Sequence, residues 1–331
     1  MILTKCGRIA SSSFDYSPAW IRQSVGRSLA RLKTQYLDVV YCHDVEFVTP
    51  DEVLGAVREL RRMRDEEGWV RYVGISGYPV DVLVELSERI RRETGEPIDI
   101  VQSYSNFNLQ NTRLTGGGGV DALQAAGVDV VTNASVLSMG LLRRNGVPES
   151  GQGDWHPAPK GLRAAVKEVS GVLDARGEKL EAVAIRYAVE NWMAVAGNVG
   201  SSGRELALGD VVCTEGKPAG SIYAVQQLGR KRLGVSVMGV SKIEELDETM
   251  RVWRSVVLTM MAEGGDGLPP DDIRSHDDLD GNWDDVESGR RRRDDVQKQA
   301  EEIKRLLGEW YDFTWPSPGE GFVNVKNESI L

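Results

Sequence analysis

Two hydrophobic rhythms alternate along the chain. Short runs that are apolar on both faces read as strands: "MILTK", "YLDVVYC", "VRYVGIS" (70–76), "IDIVQSYS" (98–105), "VDVVTNAS" (128–135) and "GVSVMGV" (234–240). Between them, apolar residues recur at helical spacing. Ser17-Pro18 supplies a cap and a first-turn proline, and Ile21, Val25, Leu29 and Leu32 follow on one face. Thr49-Pro50-Asp51-Glu52 is a capping box ahead of Val53, Val57 and Leu60, with Gly68 as the stop. Helices are also expected over Val80 to Arg92, over "VDALQAAG" (120–127), over stretches from about Leu162 to Trp192, and from Glu244 to Leu258. Strands apolar on both faces, each followed by a helix, predict a parallel sheet covered by helices. The pattern alone leaves a doubly wound sheet and a (β/α)8 barrel open.

Two segments break the rhythm. Residues 196–233 are Gly-rich and weakly periodic, which marks an insertion in a fold whose connections are short. Residues 263–295 carry acidic clusters and then "RRRRDD", the pattern of a solvated, disordered charged loop. Both lie within what reads as one domain spanning residues 1–331.

Composition narrows the function classes. Of the 331 residues 41% are hydrophobic, ample for one large core, and the net charge of −10 comes without a basic stripe. That argues against a nucleic-acid partner, and no apolar run is long enough to cross a membrane. Cys6, Cys42 and Cys213 form no CxxC pair, so reduced cytoplasmic thiols are expected, with no metal site. There is no GxGxxG after the first strand, and "TGGGG" (115–119) lacks the following GK[ST], so neither common phosphate-binding fingerprint is present.

In parallel α/β folds chemistry gathers at the C-terminal ends of strands. Those ends carry Lys5, His43 with Asp44, Ser76, Gln102, Ser135 and Ser241. A lysine, a histidine and several hydroxyl or amide groups would therefore meet on one rim. The loop histidine His156 reads as a surface residue, and His276, amid aspartates, as solvated.

The stretches "ILTKCGR", "LDVVYCHDVEF", "RYVGISGYP", "DIVQSYSNFN" and "NASVLSMGLL" follow one another in the order and spacing of the aldo-keto reductases. The chain most resembles their fungal D-arabinose 1-dehydrogenase and plant L-galactose dehydrogenase branch. The resemblance implies a (β/α)8 TIM barrel that binds NADP or NAD without a Rossmann domain, the choice between the two remaining open. It implies that Lys5 and His43 are catalytic. Ser76 and Gln102 match positions that hold the nicotinamide carboxamide; the asparagine usual after that serine is Gly77 here, so one amide contact must come from elsewhere. Ser135, Leu137 and Met139 match the loop around the pyrophosphate. Gly239, Val240 and Ser241 match the turn at the adenosine phosphate, with Glu245 and Glu248 on the helix behind it.

The family's D-x-x-x-x-Y segment belongs before the lysine strand, and here the lysine is residue 5. The first two strand-helix units are therefore expected to be missing, together with the catalytic Asp and Tyr. Asp15 and Tyr16 lie after the lysine strand, side by side, and read as a loop and helix cap. The implied activity is oxidation of an aldose such as D-arabinose at C1 to the lactone, or carbonyl reduction in reverse. A non-catalytic dinucleotide-binding protein and a structural remnant are the competing expectations.

Overall fold

In the computed structural model, which describes residues 1–148, 151–201, 232–263 and 286–325, the chain forms two compact units. The first comprises residues 1–107, 111–134 and 312–331. It is built on five parallel strands: β1 (Leu3–Cys6), β4 (Leu37–His43), β5 (Val70–Gly77), β6 (Ile100–Tyr104) and β7 (Val130–Ala134). Each pairs with the next in the chain. A doubly wound sheet reverses strand order at its switch point; these five strands never do, which favours the barrel type over the alternative. A small antiparallel hairpin, β2 (Arg8–Ala10) and β3 (Ser13–Phe14), leads from β1 to the first helix.

Helices α1 (Pro18–Leu32), α2 (Pro50–Arg62), α3 (Val80–Thr94), α4 (Arg113–Gly116) and α5 (Gly119–Ala125) complete this unit. Their ends obey the local signals. Ser17 accepts from Trp20 N, and the reciprocal capping box between Thr49 and Glu52 is formed. Gly95 closes α3 in the left-handed region at φ 77°, where a side chain would be strained. Helix α1 buries Trp20, Ile21, Val25 and Leu29 but leaves the expected Leu32 49% exposed, because the chain turns away there through Lys33 in the left-handed region.

Because side chains alternate along a strand, each strand has one face toward these helices and one opposite. Val40, Cys42, Val73 and Ile75 are buried on the helix side. Val39, Tyr41, Ile100 and Val130 form an apolar cluster on the other, the inner side of a barrel. Toward the N-terminal end of that inner face Tyr72 is 51% exposed. Among the described residues, β1 pairs with β4 and with no second strand.

The second unit comprises residues 108–110 and 135–311. It contains α6 (Lys160–Asp174), α7 (Leu180–Val195), the short strand β8 (Val235–Val237), α8 (Ile243–Glu263) and α9 (Val286–Leu307). Ile185, Ala188, Val189 and Met193 of α7 pack with Val256 and Val257 of α8. Trp192 Nε1 donates to Val235 O at 2.8 Å, fixing β8 to α7.

Both irregular segments can be placed in part. Ser201 and Leu233 exchange two backbone hydrogen bonds, 2.9 and 3.1 Å, so the ends of the expected insertion meet; residues 202–231, including Cys213, lie outside the described residues. Residues 264–285, with His276, also lie outside them. Residues 286–295 are not the disordered loop expected over 263–295 but the first turns of α9, where Arg292 makes a bidentate pair with Glu178 at 2.5 and 2.8 Å.

Candidate active site

The strand register brings the expected residues of the first unit together. His43 is the partner of Ser76, Ser76 of Gln102, and Gln102 of Thr132, so these four side chains form one row across β4 to β7. Lys5 is the partner of Tyr41, two residues before His43, and therefore belongs to the row beneath on the same inner face. Gly74 shares that lower row. A Cβ at 74 would stand 2.6 Å from Tyr41 Cδ1 and 2.8 Å from Ile100 Cγ2, so its absence makes room for the Tyr41 ring. The Tyr41 hydroxyl is buried without a hydrogen bond of ordinary geometry. Burial pushes the phenol up to about 12, with the nearby Thr132 hydroxyl opposing the rise.

His43 is the electrostatic centre of the row. Burial lowers its imidazole to about 4; Asp44 pulls upward, and the positive charges of Lys5 and Arg8 push down again. Asp44 Oδ1 lies 3.5 Å from His43 Nε2, but Asp44 is already paired with Arg8. The contact is thus polar rather than ionic, and at neutral pH His43 carries a neutral ring. Its main-chain carbonyl accepts from Tyr16 Oη at 2.6 Å.

Non-glycine residues in the left-handed region follow directly on three strands: Asp44 (φ 58°), Ser105 (φ 60°) and Ser135 (φ 60°). Such conformations are costly and collect where a site demands them. After Asp44, a short turn (Val45–Phe47) brings Glu46 back to the end of β5, where its Oε1 accepts from Tyr78 N at 3.0 Å and from Ser317 Oγ at 2.9 Å. A Cβ at Gly77 would stand 2.5 Å from Glu46 Oε2. The carboxyl thus occupies the ground a larger residue 77 would need. Burial raises Glu46 to about 7, aided by Asp44.

The remaining expected residues lie in the second unit. Ser135 Oγ accepts from Met139 N at 2.7 Å, closing a tight turn through Leu137 in which Ser138 and Met139 also have positive φ. His156 is not the surface residue expected. It is buried, its Nε2 lies 3.0 Å from Ser138 O, and its Nδ1 accepts from Ala158 N at 3.0 Å. The loop after residue 150 is thereby stapled to the Ser135–Met139 turn. Gly239, Val240 and Ser241 are exposed; Glu245 accepts from both Ser241 N (2.8 Å) and Ser241 Oγ (3.0 Å), which lowers its carboxyl. Glu248 lies on the same helix, α8.

Sequence reasoning passed over Tyr41, Thr132 and Glu46. Counting back and across by twos from His43 would have put Tyr41 and Thr132 on its face. Glu46 gave no signal, because its place depends on the left-handed turn at Asp44.

A parallel sheet whose strands never reverse their order, with helices on one side and polar side chains gathered at its strand ends, is an α/β fold of the barrel type. The profile of the Aldo/keto reductase family matches residues 1–262, and the chain belongs to that family. Among curated proteins it is similar to D-arabinose 1-dehydrogenase of Saccharomyces cerevisiae, 40% identical over 194 residues, 58% of this chain and 56% of that one. It is also similar to L-galactose dehydrogenase of Arabidopsis thaliana, 32% identical over 191 residues with the same coverage. The chain spans about half the length of these relatives. A solved aldo-keto reductase from Bacillus halodurans (holo form) aligns with a TM-score of 0.43 and 19% identity over 76% of this chain and 66% of that chain. No helix among the described residues is long and apolar enough to cross a membrane.

Proposed function

We propose that this chain carries the nicotinamide- and substrate-facing part of an NAD(P)-dependent dehydrogenase that oxidises an aldose such as D-arabinose at C1. The observation that carries the reading is the single row of His43, Ser76 and Gln102, with Lys5 in the row beneath. The row fits a carboxamide: the Ser76 hydroxyl and the Gln102 amide, register partners on one face, offer both donors and acceptors at adjacent strand ends. The bound nicotinamide would accept the hydride from C1, and the hydroxyl proton would leave to solvent, which reaches the partly exposed His43 side chain, so that C1 ends as the lactone carbonyl. The protein's own part is positioning and charge. An unprotonated His43 ring can receive the hydrogen bond of the C1 hydroxyl and orient it, and a ring held at about 4 orients a proton rather than storing it. The Lys5 charge favours the oxygen as it becomes anionic.

One observation favours a second reading, dinucleotide binding without turnover. Among the described residues no tyrosine hydroxyl is paired with Lys5, and that of Tyr16 is committed to the His43 carbonyl. Loss of a general acid–base group typically costs ~10²–10⁴ in rate.

Binding and turnover separate the two. Tryptophan-fluorescence titration with NADPH and NADH is expected to give saturable binding that weakens in Ser76→Ala. Slow reduction of NAD(P)⁺ by D-arabinose, abolished in His43→Gln, supports the dehydrogenase; binding with no turnover supports the second reading. A chain that binds neither dinucleotide refutes both.

A further inference from the structure

Tyr16 belongs to "FDYSP", a motif the proposed chemistry leaves unused. It is 1% exposed, and it is anchored from both sides. Asp15 N donates to Gly7 O at 2.9 Å, while Asp15 Oδ1 accepts from Ser17 N at 2.8 Å; Ser17 in turn caps α1. The Tyr16 ring lies on Gly7, the residue after the end of β1: a Cβ there would stand 2.4 Å from Tyr16 Cε2, and φ is +95°. From that seat the hydroxyl reaches the carbonyl of His43 at 2.6 Å, the last residue of β4.

The register explains why a clamp is needed there. β1 and β4 are partners only as far as Cys6 and Cys42. One residue further on, β1 has passed into Gly7 at positive φ and the ladder has stopped, so no ladder bond from β1 reaches the His43 carbonyl at the end of β4. As β1 has no second strand partner among the described residues, its end is tethered from one side. Tyr16 bridges the gap with ring and hydroxyl. It does so from the helix side, among Cys6, Cys42, Asp44 and Glu46, where burial and these neighbours raise its pKa. That phenol is built to donate to a carbonyl, not to give its proton to a substrate.

We propose that Tyr16 is a positioning residue: by holding the Gly7 end of β1 against the His43 carbonyl, it sets the place of the His43 ring relative to Lys5. The inference rests on the role given to His43 above, but its test does not depend on turnover.

The test is Tyr16→Phe, which keeps the ring on Gly7 and removes the hydroxyl alone. Proton NMR titration of the histidine ring signals, with His43 identified by its loss in His43→Gln, reads the position of the ring. Wild-type His43 is expected to titrate near 4. In Tyr16→Phe the freed strand end admits water, and His43 is expected to move up by about one pH unit or more toward its ordinary value. His156, buried in the second unit, is expected to keep its wild-type titration. Replacing Tyr16 by 4-aminophenylalanine, whose amine donates from the same place, is expected to restore His43. An unmoved His43 in Tyr16→Phe overturns the proposal, and so does a parallel movement of His43 and His156, which would mean general loosening. If His43 moves as expected but His43→Gln turns over sugar normally, the tether stands and the role of His43 fails.

Discussion

Glu46→Gln tests the electrostatics of the strand-end rim most directly. The wild-type carboxyl is raised from its ordinary 4.5 to about 7, first by burial and then by Asp44. Below the lower value both folded and unfolded chains hold the proton, and the group has no differential effect. Between the two values the folded chain holds a proton that the unfolded chain has released, so stability falls as pH rises, by about 1.4 kcal/mol per pH unit. Above about 7 the folded protein carries the charge at a full cost of about 3 kcal/mol, a ceiling because the residue is only partly withdrawn from water. Glutamine removes this dependence. Its carbonyl can still accept from Tyr78 N and Ser317 Oγ, but its amide NH2 takes the seat of Oε2, buried without a partner over Gly77. That adds a pH-independent loss of about 1–3 kcal/mol. The diagnostic is therefore the slope. Urea unfolding of both proteins from pH 4.5 to 8 should give a difference that grows steadily in favour of Glu46→Gln and levels off near 7. Parallel curves across that window would refute the burial argument for Glu46.

Three other perturbations address different links. His43→Gln should flatten stability between about pH 4 and 6.5: a half-buried histidine held neutral adds stability above the higher value that is lost as pH falls toward the lower, and acid unfolding of the two proteins compares them. Gly74→Ala drives a methyl into the Tyr41 ring and should cost about 1–3 kcal/mol by denaturant melting, whereas Gly26→Ala, with nothing within 4 Å, should not destabilise. Arg186 is bonded in the second unit to Glu190 (3.0 Å), Ser255 Oγ (2.8 Å) and Gly289 O (3.0 Å), so Arg186→Met should cost about 3–5 kcal/mol by stranding Glu190, and adding Glu190→Leu should recover much of it.

The sheet was legible because its strands are apolar on both faces, a pattern few other elements produce, and because its helices carry caps that act locally. Ser17, Thr49, Glu52 and Gly68 do in the structure what their spacing predicts. The row through His43, Ser76 and Gln102 was legible as a set of strand ends, though not its register, which depends on pairing between segments about thirty residues apart. What stayed hidden depends on backbone turns that composition does not announce. Asp44 in the left-handed region swings Glu46 to Gly77, and the 150s loop folds inward to bury His156, which its Trp-His-Pro setting disguised as a surface residue. "RRRRDD" misled for a related reason. Read alone it is a solvated charge block, but Glu178, more than a hundred residues earlier, gives Arg292 a bidentate partner and lets the segment start a helix.

Alternation within β4 ties the site to its support. Residues 39, 41 and 43 face inward as an apolar floor, an orphaned phenol and the histidine, while residues 40 and 42 face the helices. Cys42 and its register partner Cys6 are therefore beneath the chemistry rather than in it. The Cys42 hydrogen bond and burial both raise the Cys6 thiol, and both side chains are shut away from solvent, so neither is within reach of a reagent in the folded protein. The division has a consequence for labelling. Iodoacetamide should leave Cys6 and Cys42 unmodified in the native protein and react with both after urea unfolding, as read by peptide mass. If Cys42 reacts in the native state, the β1–β4 ladder opens on the labelling timescale, and the pairing that places Lys5 beneath the row of His43 is too weak to hold a catalytic lysine there.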